Sequence, residues 1–326
     1  MTSGFTGLYA QAPAEPMNYD GAPGGVRFVE EGQPAVLVHA TVDAMERYRA
    51  VNPNANAHAQ KAGVQQAGTA SNLSYHGGVG GVGVETAPRV YLVLWGSQWS
   101  NDPSGEAAIL QNFLNGVGGS SWLNSVTQYC QGVASGTVFC NGGAAAGNQT
   151  GMLAGVWTDA GTAPSKPRQS QLAQEATRAA AHFGNTVSSS NTSAQYVIAT
   201  AHGNNASGFG TQYCAWHSST SSSYGNIAYT NLPYITDAGG SCGANYNGLG
   251  ATAGITIVEG HELAETITDQ YPNGGWLDSS GEENGDKCAW ISSGPGASQN
   301  VTLSTGTFPV QSLWSNATSS CAVTYP

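Results

Sequence analysis

The 326-residue sequence predicts an α/β fold. Three observations lead there: an apolar, β-branched run at Arg89–Trp95, an amphipathic stretch at Gln169–Phe183, and a second apolar run at Tyr196–Ala201. Each strand-type run is short and closes on a glycine or polar residue, as a buried strand does. Between them Leu172, Ala176, Ala179, Ala180 and Phe183 recur at helical spacing and share one face.

The remaining elements follow in order. Asp102-Pro103-Ser104-Gly105-Glu106 opens a helix running through Phe113 to Val117, and Ser120–Gln128 continues as a second. Met152–Thr158 reads as a strand. Glycine- and serine-rich loops are expected from His202 to Gly250, a helix from about Gly254, and a β-rich part from Val301 to Tyr325. Residues 1–70 differ in composition from the rest, and Val51–Gly68 reads as a linker. The expected organisation is therefore an N-terminal arm or propeptide-like segment over 1–70 and a single α/β metal-binding domain over 71–326. A propeptide would cover an active site until cleaved.

Composition narrows the partners. Nine Lys and Arg face 20 Asp and Glu, for a net charge of −11, and only 9% of residues are charged. Such a surface repels phosphate backbones and anionic lipid, so neither nucleic acid nor membrane is an expected partner. No apolar run is long enough to span a bilayer. Six cysteines without a Cys-x-x-Cys pair speak for disulfides in an oxidising compartment. Of fifteen possible pairings the sequential set is expected: Cys130 with Cys140, Cys214 with Cys242, Cys288 with Cys321. The opening Met1-Thr2-Ser3-Gly4 lacks the basic and apolar regions of a signal peptide, so either a signal has been removed or the compartment is not the expected one.

The chemistry centres on Gly260-His261-Glu262-Leu263-Ala264-Glu265. A helix places His261 and Glu265 a turn apart on one face, where both can grip one metal. Glu262 falls where the zinc-peptidase signature His-Glu-x-x-His keeps its general base, with Glu265 standing in for the second histidine. Beyond the motif, Asp269, Asp278, Glu282, Glu283 and Asp286 crowd into a chain otherwise poor in charge. They would repel one another without a cation. Zinc is the expected cofactor, and calcium held by Asp278–Asp286 is the second candidate. Asp286, two residues before Cys288, is expected as third ligand in preference to Glu283. Strands and helices followed by a late metal-binding helix fit a zincin-like sheet.

Several blocks also resemble the EXORDIUM, or phosphate-induced, protein family of plants and bacteria. They are Leu73–Gly78, Val90–Gly96, Tyr213–His217, His261–Glu265 with Thr268-Asp269, Gly275-Trp276, Glu283, Asp286 and Cys288, and Leu313-Trp314 before Cys321. The resemblance spans about residues 73–322 and leaves out residues 1–70. It implies an extracellular or cell-wall protein, and maps His76 and His217 onto two further blocks without bringing either to the metal. A lone histidine like His217, near a disulfide, is more often structural. His202, after a strand end, is a further candidate.

Two functions follow. The first is a secreted zinc peptidase acting on protein or peptide, with Glu262 as general base. The second is a non-catalytic protein that binds cell-wall polysaccharide on Trp276, Trp290, Trp314 and the Tyr-rich loops, around a structural metal. A third match, Gly239-Gly240-Ser241-Cys242-Gly243, has the serine-hydrolase pattern but lacks a strand-to-helix setting.

Overall fold

A computed structural model describes residues 23–52 and 72–325. From residue 53 on, the expected linker lies outside the described residues, as do residues 1–22.

The N-terminal part contributes β1 (Gly25–Arg27), β2 (Val36–Ala40) and α1 (Val42–Val51). The short β3 (Ser74–Tyr75) precedes β4 (Arg89–Trp95) and α2 (Glu106–Val117). Helix α2 begins at Glu106 rather than Asp102, because Asp102–Gly105 forms a turn. The Asp102 carboxylate accepts the free backbone N–H groups of Glu106 and Ala107 at 2.8 and 3.1 Å. The expected second helix is a 3-10 segment over Leu123–Gln128. After β5 (Cys130–Gln131) and β6 (Ala144–Ala145) come β7 (Leu153–Asp159), α3 (Gln169–His182), α4 (Ser188–Asn191) and β8 (Ala194–Thr200).

Where loops were expected, the chain forms two long strands, β9 (Tyr213–Ser222) and β10 (Gly225–Leu232), joined as a hairpin. Their far ends, Ser218–Ser222 and Gly225-Asn226, are polar and hide the strand signal. Gly225, at φ 90°, supplies the left-handed turn conformation. The metal-motif helix α5 (Ala253–Thr268) follows, then β11 (Trp276–Leu277), β12 (Gln299–Leu303), β13 (Gly306–Val310), β14 (Leu313–Ser315) and β15 (Ser320–Ala322). The last four form two hairpins, giving the expected β-rich C-terminal part.

Seven strands build one mixed sheet in the order β1-β2-β9-β10-β8-β4-β7. In the parallel heart β10-β8-β4-β7, helices α2 and α3 make the crossovers from β4 to β7 and from β7 to β8, and β8 reaches β10 through the antiparallel β9. One face packs on α3, with Leu172, Ala176 and Ala179 against Tyr196, Ile198 and Tyr229. The other packs on α2, α5 and the C-terminal hairpins, with Phe113, Val197, Ala199 and Ile257 in that core. Because β1 and β2 extend this sheet, the expected boundary at residues 70 and 71 does not separate an arm from a domain. The run Val36-Leu37-Val38-His39-Ala40 is a buried strand in its own right.

All three disulfides follow the sequential pairing. Stable disulfides belong to an oxidising compartment. No helix among the described residues is long and apolar enough to cross a membrane.

Candidate metal centre

Helix α5 is buried along all of its 16 residues, wrapped by the sheet on one side and by α2, β13 and the 3-10 segments on the others. A helix so enclosed should be apolar all round. This one carries Glu259, His261, Glu262 and Glu265 into the core, at the cost of desolvating each. That cost marks the middle of α5 as a candidate site.

Three structural units meet at the middle of α5. From the helix come His261, Glu262 and Glu265. From the sheet come His217 on β9 and His39 on β2, which face α5 because Leu37 pairs with His217 and His39 with Ala215 across the two strands. From the segment after β11 come Glu283 and Asp286, held close by the Cys288–Cys321 bridge. None of these seven side chains is more than 2% exposed.

Their geometry sorts them. Nε2 of His261 lies 3.0 Å from Oε2 of Glu265 and 3.8 Å from Oδ1 of Asp286. The three residues offer donor atoms that all fall within 4.8 Å of one another. Donors around a tetrahedral zinc stand about 3.4 Å apart at ordinary bond lengths, so this set fits one ion. Apart from the close approach of His261 Nε2 and Glu265 Oε2 to each other, these three buried atoms have no hydrogen-bond partner in the protein. A buried polar atom left unpaired is costly, and three converging on one point call for a cation.

The surrounding contacts aim them. Gln311, just beyond β13, accepts the Nδ1–H of His261 at 3.3 Å, which leaves Nε2 as the lone-pair nitrogen facing the centre. Its own amide donates to Gly285 O at 2.8 Å. Glu265 accepts the Asp286 backbone N–H on Oε1 at 2.9 Å, freeing Oε2 for the ion. Gly285 passes so close that a Cβ there would stand 2.6 Å from Nδ1 of His261 and 2.8 Å from Oε1 of Glu265.

Glu283 has a different partner: its Oε2 meets Nε2 of His217 at 2.8 Å. Burial alone would discharge His217, but Glu283 and Glu265 outweigh it and hold the imidazole well above its usual pKa. Burial raises Glu265 too, yet in the metal-free chain the protonated forms of His261 and His217 outweigh it and keep that carboxyl low. Glu262, Glu283 and Asp286 are all pushed well above the carboxylate range, burial being the largest cause. Both oxygens of Glu262 are without a partner. Glu262 forms one further donor group with His39 and His261 and another with His217 and Glu265.

The sequence missed His39 and Gln311. A histidine interrupting the apolar run Val36–Ala40 was a usable signal for the first; nothing local marks the second. His217, which the sequence left as a structural residue, joins the centre. His76 is exposed and away from it, and His202 pairs with Asp237 at 2.5 Å on the surface. The calcium alternative finds no cage among the described residues. Asp278 spends its carboxylate on Lys287 Nζ at 2.6 Å and on the N–H groups of Ser280 and Glu282, and Asp269 accepts N–H groups from Asn273, Gly274 and Gly275 beyond the helix end. Trp276, Trp290 and Trp314 are buried, with their indole N–H groups given to Cys130 O, Ala40 O and Asn316 Oδ1, so they offer no platform to a sugar. The Gly239–Gly243 pattern falls on and just after a 3-10 segment whose Cys242 is disulfide-bonded, and makes no nucleophile elbow. Comparison of the chain with protein-family models, with curated proteins and with solved structures finds no match.

Proposed function

We propose that the chain is a secreted zinc-dependent peptidase in which His261, Glu265 and Asp286 hold the metal and Glu262 is the general base. The observation that carries this reading is the convergence of three buried donor atoms with no partner but one another, one nitrogen and two oxygens, beside a helix that also presents Glu262. Zinc bound there supplies Lewis acidity and makes water acidic enough to be deprotonated near neutral pH. Glu262 takes a proton on an oxygen that no protein group claims, and can return it to the departing amine. His217, whose Nε2 meets Glu283 Oε2 at 2.8 Å and lies 3.6 Å from Glu265 Oε2, would polarise a carbonyl oxygen placed on that side of the centre. Disulfides and the resemblance to an extracellular family support the secreted setting.

One observation favours a second reading, a structural metal in a non-catalytic extracellular protein: every donor is buried, so the centre has no open face. Purified protein decides between them. The peptidase carries about one zinc per chain and cleaves peptides until a chelator removes the metal. A protein that keeps its zinc but cleaves nothing at any pH is the structural case.

A further inference from the structure

We infer that the centre takes a second divalent cation beside the first, with His217, Glu262 and Glu265 as its protein ligands. This site does not depend on the peptidase reading. Where that reading holds, the second ion regulates it, because it engages the side chain that acts as the base.

A single ion leaves too many donors over. With His261, Glu265 and Asp286 on the first cation, both oxygens of Glu262, Oε1 of Glu283 and Nδ1 of His217 remain buried without a hydrogen-bond partner. All three side chains are fully shielded from solvent. Ionised, Glu262, Glu265, Glu283 and Asp286 bring four negative charges to the centre, of which one divalent ion cancels two. Water can satisfy a lone pair there but brings no charge, and uncompensated charge at this depth is costly. A second cation answers both needs.

Two further sets of donor atoms fall within 4.8 Å of one another: His39 with His261 and Glu262, and His217 with Glu262 and Glu265. Only the second set can fill alongside the first ion. A ring nitrogen has one lone pair at most, and both nitrogens of His261 are engaged, Nδ1 by Gln311 and Nε2 by the first cation. A carboxylate oxygen has two lone pairs, so Oε2 of Glu265 can serve two ions. It stands between the two histidines, 3.0 Å from Nε2 of His261 and 3.6 Å from Nε2 of His217. Glu262 lies about one turn before Glu265 on α5, and His217 faces both from a strand tied by the Cys214–Cys242 bridge. Nε2 of His217 also meets Oε2 of Glu283 at 2.8 Å, and the incoming ion has to break that pair. The second ion therefore binds more weakly than the first and enters only when metal is in excess. An imidazole nitrogen among carboxylate oxygens suits zinc and disfavours calcium, which takes oxygen ligands.

The test is equilibrium dialysis of the full chain against rising free zinc, with elemental analysis of what stays bound. Wild type should take one zinc and then, more weakly, a second. His217→Ala should stop at one throughout. Glu262→Gln should keep the first zinc and bind the second roughly ten-fold or more weakly than wild type does. His202→Ala, which alters an exposed histidine paired with Asp237, should still take two. Where His217→Ala fails to fold, Glu262→Gln decides. Wild type that saturates at one zinc overturns the inference. So does a second zinc that persists undiminished in the folded His217 or Glu262 variant, or one that vanishes in His202→Ala and so belongs to the surface. Peptide hydrolysis is read separately: two zinc ions with no cleavage of any peptide keep the second site and sink the peptidase reading, and cleavage by a chain that stops at one zinc does the reverse. In a chain that cleaves, filling the second site should slow hydrolysis by roughly ten-fold or more, and undiminished cleavage with both ions bound removes Glu262 from the ligands and overturns the site.

Discussion

Gln311 accepts the Nδ1–H of His261 at 3.3 Å across the core. It lies 50 positions away in sequence and fixes which nitrogen of that ring faces Glu265 and Asp286. Replacing it by leucine should weaken zinc by about 10- to 100-fold, the usual worth of an orienting partner. Competition with a chelator of known affinity measures this. Unchanged affinity would show that the ring is oriented by packing alone.

Asp286 and Glu283 make unequal contacts, and the two should respond unequally to loss of charge. Asp286→Asn removes the negative charge of a donor 3.8 Å from Nε2 of His261 and should lower zinc occupancy strongly. Glu283→Gln leaves all three donors in place and disturbs His217 instead. Zinc content measured on both variants checks the order; the reverse order makes Glu283 the ligand.

Glu262→Gln keeps the shape of the side chain and removes the group that accepts the proton. Peptide hydrolysis should fall by about two or more powers of ten while zinc content holds. Burial holds this carboxyl well above the usual carboxylate range. Full activity in the glutamine variant would remove Glu262 from the mechanism.

Two carboxyls outside the centre govern how stability varies with pH. Burial pushes both Glu85 and Glu106 up to about 8, against hydrogen bonds from Gln195 Nε2 to the first and Ile235 N to the second. Between their unfolded values near 4.5 and about 8 the folded chain keeps protons that the unfolded chain has lost. Stability therefore falls as pH rises through that window, by at most about 1.4 kcal/mol per pH unit for each group. Below pH 4.5 the contribution is fully present. Denaturant unfolding of Glu85→Gln at pH 5 and pH 8 should show a smaller loss than wild type; an equal loss would mean that Glu85 is already ionised in the fold.

Strands β4 and β8 and helix α3 were legible in the sequence because their apolar patterns are unbroken, and the motif helix through the spacing of His261 and Glu265. The β9–β10 hairpin was not, since its apolar halves run into Ser218–Ser222 and Gly225-Asn226, whose composition is that of loops. Strand β2 carries a clear apolar run, yet it sits in an N-terminal region whose composition suggested an arm. At the centre, His261, Glu262 and Glu265 were legible through helical spacing. His39, His217 and Gln311 reach it by strand pairing and by the course of the C-terminal hairpins, neither of which a linear motif encodes.

The three disulfides join each cysteine to the next one along the chain, closing separations of 10, 28 and 33 residues with no bond enclosing or crossing another. A polypeptide emerging N-terminus first into an oxidising space thus always meets the right thiol next, and oxidation can keep step with emergence without reshuffling. Because the loops are not threaded through one another, reducing one bond leaves the other two free of any topological trap. Partial reduction should accordingly be reversible bond by bond, and the bridge between Cys288 and Cys321, nearest Asp286, is the one whose loss should register first at the metal.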